Sequence, residues 1–345
     1  MTSYKTIRSK AFSLIELMVA MGILSVLMLM LTIMLDQVQK SWTYSESRIS
    51  QFREARVAFD LITKNLGQAS LNTYFDLRDE DGDGLMDQYY RTSEMQFLVA
   101  EASTIDNSSE QQMIGHAVFF QAPLGFSTQY RNLNNLFNGR GYFVAFGSDE
   151  TFRPSFVRSD LRYRYRLFEF RPPAELNEMF ADGGEERDAG EPQEFTNWFR
   201  QSMNLAPNDS FDDHLNPLAD NIVTLVVSPR DSLISGSNRN DTSSSIAPNY
   251  IYDSNDDQEG FESFRQQVPP LVRLTMVAID EESALRLAAD NGDSMPEVVP
   301  PGLFGSTARY NEDIAELTDY LNEKKINHKI FSSMVMLRNS KWSDN

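Results

Sequence analysis

The chain has 345 residues, with 31 Lys and Arg against 50 Asp and Glu, a net charge of −19 and a pI near 4.6. Such acidity excludes nucleic acid as an expected partner, since phosphate binding needs basic surface, and it suits solubility and divalent cations. The absence of cysteine excludes disulfides, thiolate metal sites and cysteine nucleophiles.

Hydrophobic content of 41% with 11% aromatics suffices for a packed core of one large or two modest domains. The first element is apolar. From Leu17 to Leu35 no residue is charged, and none is more polar than Ser25 or Thr32. As a helix rising about 1.5 Å per residue, residues 12–35 would cover roughly 36 Å, enough for a bilayer core of about 30 Å. Lys5, Arg8 and Lys10 precede it without an acid. That asymmetry predicts a cytoplasmic N-terminus and an extracytoplasmic remainder. A cleaved secretory signal would have a shorter apolar core and a small-residue site after it, which residues 36–40 do not offer.

Glu16 disturbs the pattern, because an acid just inside an apolar span wants a cationic partner. Positions 12, 13, 19 and 20, on the same helical face, are all uncharged. Cleavage before Phe12 would create a partner, a free α-amino group near Glu16 or near the Glu16 of a neighbour. Ala-Phe-Ser-Leu-Ile-Glu at 11–16, between a basic leader and a long apolar helix, resembles the class III signal of type IV prepilins and type II secretion pseudopilins. The resemblance implies cleavage between Ala11 and Phe12 by a prepilin peptidase, methylation of the new N-terminus, and Glu16 as the assembly acid. Ala11 stands where the family usually has Gly.

Beyond Leu35, Val38, Trp42, Ser45, Ile49, Phe52, Ala55, Phe59, Ile62, Leu66 and Ala69 recur at spacings of three and four. This predicts that the helix continues to about residue 70 with one apolar stripe packed under a sheet. Residues 53–69 look like the corresponding helix of J-type pseudopilins and W-type minor pilins.

In residues 79–87, Asp79, Asp81, Asp83 and Asp87 fall at positions 1, 3, 5 and 9 of an EF-hand-type loop, with Gly84 at position 6. Leu85 would supply a backbone carbonyl. Tyr90 occupies position 12 in place of the bidentate Glu, so Asp76 or Glu94 would have to complete the shell. The reading is a structural calcium ion tethering this loop, against a solvated acidic turn.

Strand signals follow at 95–99, 117–121, 142–146, 161–170, 222–227, 271–279 and 330–337, with helices at 195–203, 280–289 and 311–325. A long N-terminal helix followed by antiparallel strands is an α+β fold. In 161–170, Leu161, Tyr163 and Tyr165 alternate with Arg162, Arg164 and Arg166, which predicts a half-buried edge strand protected by charge. Residues 172–194 carry eight acids against Arg187 and read as an exposed loop. Residues 231–260, rich in Ser, Asn and Asp, read as disordered.

Residues 218–230 and 268–280 look like the two central strands of J-type pseudopilins. With 246–253 and 280–287 they also resemble the Verru_Chthon cassette protein C family, which has the same N-terminal signal. Catalytic patterns are scarce: His116, His214 and His328 lie in no metal-ligand spacing, and no nucleophile elbow or P-loop occurs. His116, bordering a strand, reads as a packing residue.

The chain is thus expected to comprise a cytoplasmic leader (1–11), a membrane and filament-core helix (12–35), its amphipathic continuation (36–70) and an extracytoplasmic head (71–345). Its expected role is structural rather than enzymatic: a minor, tip-proximal subunit of a type IV pilus or type II secretion pseudopilus. Expected partners are other pilin-like subunits, the prepilin peptidase, an inner-membrane assembly platform and membrane lipid. The competing expectation is an anchored glycan or protein receptor that borrows the pilin route of export.

Overall fold

The computed structural model describes residues 13–78, 85, 88–105, 112–130, 134–150, 152–154, 156–176, 199, 214–231, 246–255 and 265–341. The chain forms two compact units, residues 1–50 and 51–345, and helix α1 (Leu14–Leu66) contributes to both.

In the first unit α1 is apolar and every residue from Leu14 to Trp42 is exposed. At about 1.5 Å per residue these 29 residues span roughly 43 Å, enough to cross a bilayer. The Ser25 and Thr32 hydroxyls donate to the Met21 and Met28 carbonyls, each at 2.8 Å, so their polarity is satisfied within the helix.

In the second unit the rest of α1 buries Ala55, Ala58, Phe59, Ile62 and Leu66, followed by Ala69, with Phe52 half-buried beside them. Among the described side chains the expected stripe is therefore covered from Phe52 onward, where β-strands supply apolar cover. Val38 and Trp42 are exposed, and the side chains of Ser45 and Ile49 lie outside the described residues. The helix stops at Leu66, short of 70, where the Gly67 N–H closes on the Thr63 carbonyl at 3.1 Å.

In chain order the strands are β1 (Tyr74–Arg78), β2 (Gln88–Thr92), β3 (Leu98–Glu101), β4 (Gln112–Phe126), β5 (Asn134–Gly147), β6 (Arg164–Phe170), β7 (Leu215–Asp220), β8 (Ile222–Arg230), β9 (Tyr252–Asp253), β10 (Leu271–Ile279) and β11 (His328–Met336). The helices after α1 are α2 (Glu281–Asn291) and α3 (Tyr310–Glu323). β1 and β2 form a hairpin, β7-β6-β5-β4-β3-β9 a six-stranded sheet and β11-β10-β8 a three-stranded sheet. All these pairings are antiparallel, which makes the fold α+β as expected.

Apolar side chains cover three interfaces. The α1 stripe packs against one face of each larger sheet, through Phe120, Tyr142 and Leu167 of the six-stranded one and Leu225, Leu274 and Met276 of the three-stranded one. Phe119, Phe143, Phe168 and Phe170 fill the opposite face of the six-stranded sheet. There Phe199 stacks on Phe119 with ring centroids 4.0 Å apart. Gly141 makes room for that ring, since a Cβ at this position would lie 2.4 Å from Phe119. On the other side of the three-stranded sheet, Val226 and Val277 meet Ala284 of α2 and Leu317 and Leu321 of α3.

Each expected strand overlaps an observed one, but β6 corrects its expected role. It lies between β5 and β7 and all seven of its residues are buried. Arg164 and Arg166 are 8% and 4% exposed, so they protect no edge. Asp220 and Glu281, both more exposed than the arginines, hold them instead.

β1, β2, β7 and β9 escaped the sequence pattern. β7 contains Pro217 and reads locally as a turn. Residues 246–255, expected to be disordered, are ordered, because Ile246, Ala247, Tyr250 and Tyr252 are buried and the Tyr252 hydroxyl donates to the Gln267 carbonyl at 2.8 Å. The loop at 172–194 begins with buried Pro172 and Pro173; residues 177–194 lie outside the described residues, as does the helix at 195–203 apart from Phe199.

Candidate assembly and processing site

Ser13-Leu14-Ile15-Glu16 opens α1 with the sequence pattern of a capping box, a Ser followed three residues later by a Glu, and makes one of its two hydrogen bonds. The Glu16 Oε2 accepts the Ser13 backbone N–H at 3.0 Å, and the Ser13 carbonyl accepts the Leu17 N–H at 3.2 Å. Glu16 is the one ionisable residue between Leu14 and Leu35. It lines a shallow depression with Ile15, Val19, Ala20 and Ile23, where Ala20 leaves space that a larger side chain would fill. Ala11 and Phe12 lie outside the described residues. Sequence reasoning sought a cation for Glu16 and missed the Ser-x-x-Glu pattern. That pattern gives the carboxylate a local partner and a structural reason to be there.

The Asp-rich stretch joins β1 to β2. The hairpin register ends at Arg78 opposite Gln88, so residues 79–87 connect adjacent strand ends. Asp79, Asp81, Asp83 and Asp87 lie outside the described residues, and Leu85 is exposed. Asp76 stands opposite Tyr90 in the register, whereas the Glu94 carboxylate accepts from the Asn72 side chain at 3.3 Å. Among the described residues no group of three or more His, Asp or Glu is arranged to hold a metal.

His116 sits in β4 at the floor of a groove of about 570 Å³ between the two larger sheets. Its other walls include Thr224 of β8, Asn249 and the Pro-rich segment 295–305. Nδ1 accepts the Val227 N–H at 3.1 Å, which leaves the ring proton on Nε2. The ring packs on Tyr250, with centroids 4.7 Å apart. Burial holds the imidazole at about 4, well below its usual 6.5, so it is neutral. Its position is that of a packing residue, with one face against Tyr250.

Arg164 of β6 forms a two-pronged pair with Glu281 in the first turn of α2, with Nη1 to Oε2 at 2.6 Å. Asn221 donates to the same carboxylate at 2.9 Å, and Arg166 Nε lies 3.1 Å from Asp220. Burial alone would lower the Arg164 pKa and raise that of Glu281, but the paired hydrogen bonds outweigh it in both. Arg164 stays charged, and Glu281 is held below the usual carboxylate range. A second buried relay runs from Asn65 of α1 to the Tyr142 hydroxyl at 2.7 Å, and from there to Glu169 at 2.8 Å. These networks tie secondary elements together.

Residues 7–32 match the family model of the prokaryotic N-terminal methylation motif. No curated protein and no solved structure matches the chain. The motif indicates a type IV pilin-like exported subunit, which implies assembly with other pilin-like subunits and processing by a peptidase. With the apolar helix Leu14–Trp42 it supports single-pass membrane anchoring.

Proposed function

We propose that the chain is a minor pilin or pseudopilin-like subunit, cut before Phe12 by a prepilin peptidase, methylated there and assembled near the tip of a type IV pilus or type II secretion pseudopilus. The observation that carries this reading is the overlap of the methylation motif at 7–32 with an exposed apolar helix whose sole ionisable residue before Asp36 is Glu16. Residues 1–11 act as a cytoplasmic leader, 12–35 as the membrane and filament-core segment, 36–70 as its continuation and 71–345 as the extracytoplasmic head.

The Glu16 carboxylate already reaches back to Ser13, one residue from the amine that cleavage would create. In a packed bundle, pairing with a neighbour's amine removes the cost of a carboxylate in lipid. Two large sheets and a hairpin with long connecting segments suit a tip position better than a repeated helical lattice. The similarity of 218–230 and 268–280 to J-type pseudopilins points the same way, and with 246–253 and 280–287 these stretches also resemble the Verru_Chthon cassette protein C family. Calcium bound by Asp79, Asp81, Asp83, Asp87 and the Leu85 carbonyl would staple the β1–β2 connection. Fractionation tests the assembly reading: the wild-type chain enters sheared filaments, and its appearance only in the membrane fraction would contradict it.

A second reading is an anchored receptor exported by the same route. It is favoured by the groove beside His116, whose volume of about 570 Å³ falls within the range of small-molecule sites. A receptor role predicts that changes at Glu16 leave function intact.

A further inference from the structure

β11 differs from the other outer strands of the two larger sheets. β7 carries Pro217 and a register shift, β9 has two residues, and β8 is wholly buried. β11 pairs with β10 over nine consecutive residues without a bulge, and among the described residues no further strand lies beyond it. Ser332, Ser333 and Met334 are exposed in succession, although neighbouring residues point to opposite faces. Met336 is 67% exposed. The usual devices that blunt an open edge include proline, bulges and charged side chains, Lys above all. None occurs between Phe331 and Met336. The single charge in the strand, Lys329, is drawn over the Phe52 and Phe331 rings at 5.9 and 5.5 Å.

The charge around this edge is opposite to that of the chain. Residues 324–341 contain Lys324, Lys325, Lys329, Arg338 and Lys341 and no acid, in a protein of net charge −19. Among the described residues none of these five forms an ion pair, whereas Arg309, at the N-cap of α3, has three carboxylates within reach. Lys324 finds only the Glu297 carbonyl, at 3.4 Å, and the Tyr320 ring. Five cations without an ion-pair partner, in and flanking this strand in the chain, define the charge of what fits its open edge.

We infer that β11 is a docking edge for an extended, acid-bearing segment of a partner protein, which adds as a fourth strand to the β11-β10-β8 sheet. Main-chain hydrogen bonds to the open edge supply affinity, and the surrounding cations select acidic flanks and speed encounter. A second copy of this acidic chain is a poor occupant, since self-repulsion opposes it. The inference rests on β11 and the cations flanking it, and stands whether or not the chain is processed before Phe12.

The test uses the full chain in detergent and a fluorescent nine-residue peptide of alternating Val and Glu. The peptide is expected to bind, to bind more weakly as salt rises, and to become covalently attached to a photo-crosslinker placed at Ser333. A Lys329→Glu, Arg338→Glu, Lys341→Glu variant, altering exposed side chains without ion-pair partners, should weaken binding at least about tenfold. Equal or tighter binding of an alternating Val and Lys peptide would overturn the proposal. So would crosslinking elsewhere. Two further results would also overturn it: binding to anionic phosphatidylglycerol vesicles with no peptide binding, or a homodimer that protects β11.

Discussion

The Glu16 carboxylate accepts the backbone N–H of Ser13 at 3.0 Å, closing the first turn of α1 on itself. Capping and assembly make different demands on this side chain. Gln at 16 keeps an acceptor for Ser13 but lacks the charge, while Ala keeps neither. If the charge pairs with a neighbour's amine, Glu16→Gln and Glu16→Ala both abolish incorporation into sheared filaments while the chain stays folded in the membrane. Recovery of incorporation by the Gln variant would reduce Glu16 to a helix cap.

Burial of the α1 stripe predicts a sharp boundary in mutational sensitivity. Ile62 is fully buried among both larger sheets, so Ile62→Ala should destabilise the second unit by about 2–5 kcal/mol in urea denaturation of the detergent-solubilised chain. Trp42 is exposed, and Trp42→Ala should change the same transition by less than about 0.5 kcal/mol. Equal effects would show that the stripe is covered along its whole length.

His116 predicts an acid-dependent loss of stability. The unfolded chain takes up a proton near 6.5 that the buried ring resists until about 4. Stability is therefore complete above 6.5 and falls as pH drops through that window, by about 3 kcal/mol in all. His116→Asn retains an acceptor for the Val227 N–H and should flatten the unfolding free energy between pH 6.5 and 4. A slope unchanged in the variant would place the acid sensitivity elsewhere.

Calcium added to the metal-free chain should raise the melting temperature, and the Asp81→Ala, Asp83→Ala pair should abolish that rise. A rise that survives both substitutions would exclude the β1–β2 connection as the site.

Periodicity made α1, the central strands and both short helices legible, because burial on one or two faces imposes spacings of two or three to four. Asp280 illustrates the sharper part of that reading: expected as the first residue of a helix, it is the N-cap of α2 and accepts the Ser283 N–H at 2.9 Å. The role of β6 was illegible for a physical reason. Arg164 and Arg166 look solvent-facing until Asp220 and Glu281, more than fifty residues away in sequence, arrive to neutralise them. The edge at β11 was equally hidden, since an uncovered strand shows only once its neighbours are known. At the N-terminus, motif, leader and apolar run could be read directly, while the Ser13 cap lay in plain view as Ser-x-x-Glu and was passed over.

Mass spectrometry of the N-terminal peptide from the membrane-extracted protein tests the central claim most directly. Processing predicts a peptide that begins at Phe12 and carries one methyl group on its amine. A peptide that still begins at Met1 would contradict the account, however well the rest of the chain folds.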